Sequence, residues 1–312
     1  MRRILGLALA ALVLAVPVRA EPIRWVDFLV PYESLQYAMD ADIDSFEKEQ
    51  HLNWVEILAL AGCRTGGKCD LASVKKAAKD LLGDTAAAEL GGKTFAYYYA
   101  AYDAVLGGLL GSFEIETPDG AKASYGLKAF SPIAAGYGYS HCDDFGASRA
   151  FGFARKHLGN DLMGALGTPI CAVEGGVVEA MGWNRYGGWR IGIRSADGRR
   201  YYYYAHLQKD HPYAEGLAVG DLVQPGQLIG FMGRTGYSDT ENVNNIETVH
   251  LHFGLQLVFD ESQKECNSEI WIDCYNLVRL LSAHRCSWRK TESGWSRVYP
   301  FRDLDEQVLE LQ

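Results

Sequence analysis

The 312-residue chain contains few of the residues that mark disulfide-rich, collagen-like or nucleic-acid-binding proteins. Seven cysteines are too few for a disulfide framework, and their odd number leaves at least one unpaired or shared between chains. Nine prolines and 34 glycines show no short period, which excludes a collagen-like chain. Only 30 basic residues stand against 39 acidic ones. The resulting net charge of −9 argues against binding nucleic acid through a basic surface.

The chain does contain enough apolar sequence for about two folded domains. Hydrophobic residues make up 48% of it and aromatic residues 12%, which excludes a mainly disordered protein. Cys63 and Cys69 bracket a glycine-containing turn, so this pair is the first expectation for a bridge. Three more cysteines, Cys266, Cys274 and Cys286, cluster near the C-terminus, and the sequence leaves the connectivity open.

The first twenty residues are typical of a secretory signal peptide. Two arginines near the start precede an apolar run over residues 4–18, and a small-residue cleavage pattern ends at Ala20. The run is shorter than the roughly 20 residues that span a bilayer, with an uncleaved anchor as the alternative. Cleavage would leave 27 basic against 39 acidic residues, a net charge of −12. We therefore expect a secreted, periplasmic or cell-wall-associated protein with no stable membrane span after cleavage.

Residues 21 to about 113 are predicted to be helical, because apolar residues recur at helical spacing among charged ones. Residues 71–82 form a second short helix in this prediction. The most apolar stretch, residues 94–113, contains Asp103 and four tyrosines, which favour a buried helix over a membrane span. Loop residues over 117–122 mark the best domain boundary. We therefore expect a signal peptide over 1–20 and a helical accessory domain over 21–116.

Beyond this boundary the apolar period changes from helical to two, which predicts a β-rich domain over 125–262. A C-terminal extension over 263–312 follows, with a helix predicted near 271–283. The expected fold class is α+β, with an antiparallel β-sheet-rich domain after a helical N-terminal domain. The predicted strands are residues 177–179, 189–194, 200–205, 228–231 and 249–257.

Four of the eight histidines lie in patterned contexts. In residues 249–257 apolar side chains alternate with His250 and His252, so a strand would place both imidazoles on one polar face, about 6.5–7 Å apart. Residues 200–206 form a second strand candidate, in which Tyr204 and His206 share a face. The alternative is two solvated surface histidines for His250 and His252, and a lone histidine with only a structural role for His206.

The third motif is His157-x3-Asp161, where the intervening Gly159 and Asn160 favour a turn. A turn can bring the imidazole and the carboxylate to one point, and both are suitable zinc ligands. Two histidines and one aspartate would fill three positions around zinc and leave the fourth for water, as in catalytic sites. The remaining histidines would then handle the proton of that water or the charge on the attacked carbonyl.

These motifs, in this order, resemble the lysostaphin-type (LytM-type) zinc metallopeptidases, which hydrolyse peptide bonds in bacterial peptidoglycan. The resemblance covers about residues 130–262 and includes two hairpin-like segments at 167–180 and 219–236. It implies an antiparallel β-sheet with loops that wall a narrow groove. It also implies one zinc ion per chain and a peptidoglycan peptide as the partner. The implied metal ligands are His157, Asp161 and His252, and the implied catalytic histidines are His206 and His250.

Tyr204 is a weaker candidate catalytic residue. Its position on the His206 face would let its hydroxyl support the transition state or contact substrate, and a groove-wall tyrosine is the alternative. We therefore expect a secreted zinc metalloendopeptidase that hydrolyses peptidoglycan. The alternative is a non-catalytic LytM-like wall-binding protein or an activator of other wall hydrolases, which the five filled site positions disfavour.

Two further alternatives rest on single motifs. Residues 219–236 also resemble the hairpins of biotinyl, lipoyl and sugar-phosphotransfer domains, but carrier domains present a modifiable lysine at a hairpin tip. No lysine lies between Lys156 and Lys209, or between Lys209 and Lys264. The run His141-Cys142-Asp143-Asp144 could bind a metal, although contiguous residues rarely converge on one ion and a solvated loop is favoured.

Overall fold

The computed structural model of the protein describes residue 23 and residues 26–151, 153–264 and 268–304. The predicted signal peptide and Cys266 lie outside the described residues. Short 3-10 helices cover Gly92–Thr94 and Glu261–Gln263. The α-helices are α1 (Tyr32–Ser45), α2 (Trp54–Thr65), α3 (Leu71–Leu81), α4 (Ala87–Gly91), α5 (Phe95–Leu106) and α6 (Tyr275–Leu281).

The strands begin where the helical region ends and continue almost to the last described residue. The first ten strands in chain order are β1 (Leu110–Thr117), β2 (Gly120–Leu127), β3 (Tyr139–His141), β4 (Ser148–Phe151), β5 (Phe153–Lys156), β6 (Asn160–Gly164), β7 (Pro169–Cys171), β8 (Gly176–Asn184), β9 (Gly188–Ser195) and β10 (Arg200–Ala205). The later strands are β11 (Leu222–Val223), β12 (Leu228–Phe231), β13 (His250–Leu257), β14 (Ile270–Ile272), β15 (Trp288–Thr291), β16 (Gly294–Arg297) and β17 (Phe301–Asp303). The predicted α+β class is confirmed.

Side chains suited to helix ends set the limits of the N-terminal helices. Asn53 precedes α2 and accepts hydrogen bonds from two backbone N–H groups of its first turn, and Asp70 accepts one in the same way before α3. Gly66 ends α2 with a left-handed φ of 62°, which glycine adopts without strain. The predicted helix over residues 71–82 is confirmed as α3.

The last N-terminal helix is shorter than predicted. α5 ends at Leu106 rather than near residue 113, because Gly107 leaves the helical conformation and Gly108 has a φ of 80°. The expected boundary at 117–122 is the turn and first residues of the β1–β2 hairpin. The proposed domain limits stay a prediction, and one hydrophobic cluster contains residues from both sides of this hairpin. Among the described residues, no helix combines the length and apolarity needed to cross a bilayer.

The main sheet is antiparallel and has the order β11-β8-β9-β10-β13-β6-β3, with β14 also pairing with β13. β13 pairs with β10 along one side, and with β6 and then β14 along the other. The register places His252 opposite Ala205 on β10 and opposite Asp161 on β6. The sheet thereby brings three motifs together that lie far apart in the sequence.

The predicted strands over 200–205 and 228–231 coincide with β10 and β12, and those over 177–179 and 189–194 lie inside β8 and β9. The C-terminal helix begins later than predicted, since α6 starts at Tyr275 and β14 occupies Ile270–Ile272. The reason is local periodicity, because both isoleucines of β14 are buried while Trp271 between them is partly exposed.

A buried ion network ties α5 to the main sheet. Arg200 is 1% exposed and donates hydrogen bonds to both carboxylate oxygens of Glu174, at 2.8 and 2.9 Å. It also donates to the backbone oxygen of Ala104 in α5 at 3.1 Å, and Arg199 pairs with Asp103 of the same helix. Removing one partner of such a buried pair costs about 3–5 kcal/mol. The helical region is therefore anchored to the sheet that carries the histidine motifs.

The expected bridge between Cys63 and Cys69 is wrong, because both are free thiols. The Sγ atom of Cys69 is buried in the helical core, 3.4 Å from the hydroxyl of Tyr102 and 3.6 Å from the backbone oxygen of Leu58. Burial raises the pKa of the Cys69 thiol to about 11. All the described cysteines are free, and this thiol packs as a small core residue.

Candidate metal centre

Three ligand-type side chains converge where β5, β6 and β13 meet. His157 lies in the turn after β5, Asp161 is on β6 and His252 is on β13. The Nε2 atom of His157 is 2.7 Å from Nδ1 of His252 and 3.0 Å from Oδ1 of Asp161. The Nδ1 atom of His252 is 3.3 Å from the same carboxylate oxygen. The structure thus brings together the three residues predicted as metal ligands.

This donor set fits a zinc ion. Bonds of roughly 2.0–2.1 Å in a tetrahedral site separate ligand atoms by roughly 3.3 Å, close to the 2.7–3.3 Å found here. Two imidazole nitrogens and one carboxylate oxygen are a common ligand set for catalytic zinc. Among the described residues, this is the only group of three or more histidine, cysteine or acidic side chains with the spacing of a metal site.

The protonation states of these residues also suit a cation. Burial would raise the pKa of Asp161, but its interactions with the imidazoles of His157, His252 and His250 hold it well below its usual range. Burial lowers the pKa of His252, against the opposing effect of Asp161. At neutral pH the site therefore presents an ionised carboxylate and a neutral imidazole, which are the forms that bind metal.

Two supporting residues were not predicted. Nδ1 of His157 lies 3.1 Å from the backbone oxygen of Asp144 and 3.2 Å from its Oδ2, so these oxygens can hold a proton on Nδ1 in the tautomer that offers Nε2 to a metal. Arg149 on β4 donates to the carboxylates of Asp144 at 2.5 Å and Asp161 at 3.1 Å. Asp144 belongs to the 141–144 run, so its signal was present in the sequence. The sequence did not indicate that Asp144 contacts His157, which lies 13 residues further along the chain.

The other two site histidines stand beside the three ligands with their tautomers fixed. Nδ1 of His206 lies 2.9 Å from the backbone oxygen of Thr235, and Nδ1 of His250 lies 2.9 Å from that of Thr248. Because a carbonyl only accepts, each Nδ1 carries a proton, and Nε2 is the nitrogen with a free lone pair in the neutral form of each ring. Nε2 of His250 is 3.7 Å from Asp161, and the His206 and His250 rings are 4.7 Å apart. Burial lowers the pKa of His206 well below its usual value, so its ring is neutral at pH 7.

The expected position of Tyr204 is wrong. Its side chain is fully buried on the core face of β10, where its hydroxyl accepts a hydrogen bond from the backbone N–H of Val173 at 2.9 Å. His206 follows β10 in a left-handed conformation with a φ of 62°, which breaks the alternation on which the prediction rested. His206 therefore lies with Tyr201 and Tyr203 in the cleft, and Tyr204 is withdrawn as a candidate catalytic group.

A cleft of about 610 Å³ contains the metal centre. The cleft is lined by all five histidine and aspartate residues that were predicted for the site. Tyrosines of β10 and the tyrosine at position 237 also line it. The ring of Tyr203 is 5.8 Å from that of His252, and the ring of Tyr237 is 5.9 Å from that of His206. The resemblance implied such a groove, and the sheet supplies its floor.

The alternative metal cluster at 141–144 does not form among the described residues. The ring of His141 packs against Tyr275 with centroids 4.4 Å apart, and burial lowers its pKa to about 4. Asp144 turns the other way, towards His157 and Arg149. This run therefore contributes one supporting carboxylate to the centre at His157 rather than a second site.

Gly159 allows His252 to approach the turn. A Cβ atom at this position would lie 2.5 Å from the backbone oxygen of Phe253 and 2.8 Å from Cε1 of His252. Because β13 is paired on both sides, we expect Gly159→Ala to displace the His252 ring, lower the free energy of unfolding by about 1–3 kcal/mol and weaken zinc binding. Thermal unfolding and zinc titration measure both effects.

The matched control for that substitution is Gly138→Ala, because a Cβ at Gly138 would have no neighbour within 4 Å. We expect this variant to match the unsubstituted protein in stability and in zinc affinity. Equal behaviour of the Gly159 and Gly138 variants would contradict the role given to Gly159.

Fold and site together define a sheet-floored cleft with three side chains that could hold a metal ion and two adjacent histidines, an arrangement suited to a metallohydrolase. The sequence model of Peptidase family M23 matches residues 155–265. The L-Ala–D-Glu endopeptidase of Bacillus subtilis is 42% identical over 117 residues, which are 38% of this chain and 34% of that protein. Lysostaphin of Staphylococcus simulans is 39% identical over 98 residues, 31% of this chain and 17% of that protein.

The overall fold has a solved counterpart. A LytM crystal structure from Ruminococcus gnavus superimposes with a TM-score of 0.52 at 24% identity, covering 86% of this chain and 94% of that one. This similarity concerns the fold alone. The chain spans about a third of the Bacillus enzyme and less than a fifth of lysostaphin. The resemblance drawn from the histidine motifs is confirmed for residues 155–265, which match Peptidase family M23 and are similar to lysostaphin-type (LytM-type) endopeptidases.

Proposed function

We propose that this protein is a secreted zinc endopeptidase that hydrolyses peptide bonds in bacterial peptidoglycan. The observation that carries the proposal is the convergence of His157, Asp161 and His252 on one point, beside His206 and His250. The signal-like first twenty residues support secretion to the periplasm or cell wall. The names of the relatives, which include endopeptidases and a peptidoglycan endopeptidase, support the substrate class.

The three ligands hold the metal, and Asp144 and Arg149 orient two of them. A bound zinc ion supplies a Lewis acid for the scissile carbonyl and lowers the pKa of water towards about 7. The carboxylate of Asp161 offsets part of the cation's charge.

His206 and His250 supply the proton transfers. Each presents an unprotonated Nε2 to the site, because its Nδ1–H is held by a backbone carbonyl. That nitrogen can accept the proton of the attacking water and return it to the leaving amine. Once protonated, the same ring can donate a hydrogen bond to the developing oxyanion.

Digestion of purified peptidoglycan tests the proposal. We expect the purified protein to release soluble muropeptides, to lose this activity when a chelator strips the metal, and to regain it on addition of zinc. Release of no cleaved peptide under any metal condition would contradict the proposal. It would favour the non-catalytic alternative, a wall-binding protein or an activator of other hydrolases.

A further inference from the structure

The cleft around the metal centre is basic, although the chain has a net charge of −9. Its lining contains five basic and three acidic side chains. Arg149 and Lys264 are neutralised by carboxylates of the protein itself. Within the described part of the chain, Arg155, Lys156 and Arg190 form no ion pair. Lys156 is exposed to solvent, so the two arginines are the cations whose charge the cleft encloses.

Arg155 is held in place by aromatic rings rather than by a carboxylate. Its Cζ atom lies 4.9 Å from the ring centre of Tyr186 and 5.1 Å from that of Tyr237, and its Nη2 donates to the Tyr237 hydroxyl at 2.9 Å. Its buried Nη1 has no acceptor among the described residues. Stacking orients a guanidinium without neutralising it, so both its charge and a donor remain for a ligand.

Arg190 is on β9 and lies in the same cleft. Its buried Nε has no hydrogen-bond acceptor among the residues that the structure describes. Both arginines are close enough to Tyr203 to lower the pKa of its hydroxyl, against the larger, opposing effect of burial. Tyr203 in turn lies against His252, and Tyr237 lies against His206. Each guanidinium is therefore separated from the metal centre by one aromatic side chain.

We propose that Arg155 and Arg190, here called the arginine pair, form a subsite for a carboxylate of the substrate peptide. This inference rests on the proposed function, because it assumes that the scissile bond lies at the metal centre. One aromatic ring and its contacts span the length of about three residues of extended chain. The carboxylate would therefore lie within about three residues of the scissile bond. A guanidinium matches a carboxylate in charge and in hydrogen-bond geometry.

The arginine pair selects between classes of peptidoglycan bond. A stem peptide carries free carboxylates on its acidic and diamino-acid residues, which would satisfy the unpaired donors. A neutral bridge of glycines would leave two partly buried cations without a counter-charge and one buried N–H group of each without an acceptor, which is unfavourable. The substrate is therefore an anionic stem peptide with a free carboxylate near the cleaved bond, rather than a neutral cross-bridge.

Two synthetic stem peptides test the inference, identical except that one has the carboxylate beside the scissile bond converted to an amide. With the zinc-loaded full chain, we expect kcat/KM and affinity by calorimetry to favour the carboxylate peptide by about ten- to a hundredfold. This preference should shrink as salt is added. In the Arg155→Gln, Arg190→Gln double variant, kcat/KM and affinity should be the same for the two peptides. Arg302→Gln, an exposed arginine on β17, should retain the full preference.

The two proposals can fail separately. If neither peptide is cleaved, the proposed function fails, while the affinity ratio still reports on the arginine pair. Equal affinity of the unsubstituted protein for both peptides overturns the inference even if the double variant does not fold. A carboxylate preference that survives in the folded double variant overturns it as well.

Discussion

Replacing His252 by alanine is expected to remove zinc and peptidase activity together. His252 supplies one of the three ligand atoms and is paired on β13 between β6 and β10, so no neighbouring side chain can take its place. Loss of a supporting residue around a metal typically costs about 10- to 100-fold in affinity or activity, and loss of a ligand should exceed this. We expect zinc content to fall from about one ion per chain to near zero, with no detectable muropeptide release.

The matched control is His211→Ala, because His211 is an exposed histidine outside the metal cleft that stacks on Phe231. This variant should retain both its zinc and its activity. Elemental analysis of the two purified proteins decides the question. Stoichiometric zinc in His252→Ala would remove His252 from the ligand set.

Replacing His206 by alanine should separate metal binding from catalysis. Its imidazole is outside the proposed ligand set, and its Nδ1 is held by the backbone oxygen of Thr235, which leaves Nε2 for proton transfer. We expect the variant to bind zinc normally and to lose about 10²- to 10⁴-fold in kcat, the typical contribution of a general acid or base. Unchanged turnover would show that His206 has no catalytic role.

Tyr204→Phe is the informative companion, since the period-two pattern placed Tyr204 on the same face as His206. Because the hydroxyl of Tyr204 accepts only the buried N–H of Val173, its removal should lower the free energy of unfolding by about 1–3 kcal/mol. We expect turnover per folded molecule to stay unchanged. A large loss of kcat would contradict the placement of Tyr204 in the core.

Much of the centre could be predicted because two of its motifs depend on local periodicity. Alternation along residues 249–257 placed His250 and His252 on one polar face of a strand, and the structure puts both in the cleft. Glycine and asparagine between His157 and Asp161 predicted the turn that brings these two side chains together, and their ligand atoms lie 3.0 Å apart. Their catalytic and ligand roles stay predictions until the variants are measured.

The parts that were missed depend on contacts between distant residues or on a single backbone angle. The left-handed φ of His206 reversed the face assigned to Tyr204, and periodicity contains no information about such an angle. The carbonyl of Thr235 that fixes the His206 tautomer lies 29 residues away in the sequence. The Asp144 carboxylate met His157 only through folding of the β4–β5 hairpin.

The most direct test of the central claim is mass spectrometry of peptidoglycan digested by the purified zinc-loaded protein in water enriched in oxygen-18. We expect cleavage at a bond near a free carboxylate, with one heavy oxygen in each newly formed C-terminal carboxyl group and none in the fragment that carries the new amino group. These products should be absent from the His252→Ala and metal-stripped samples and strongly reduced in the His206→Ala sample. Intact peptides without heavy oxygen, whatever the zinc content, would contradict the account.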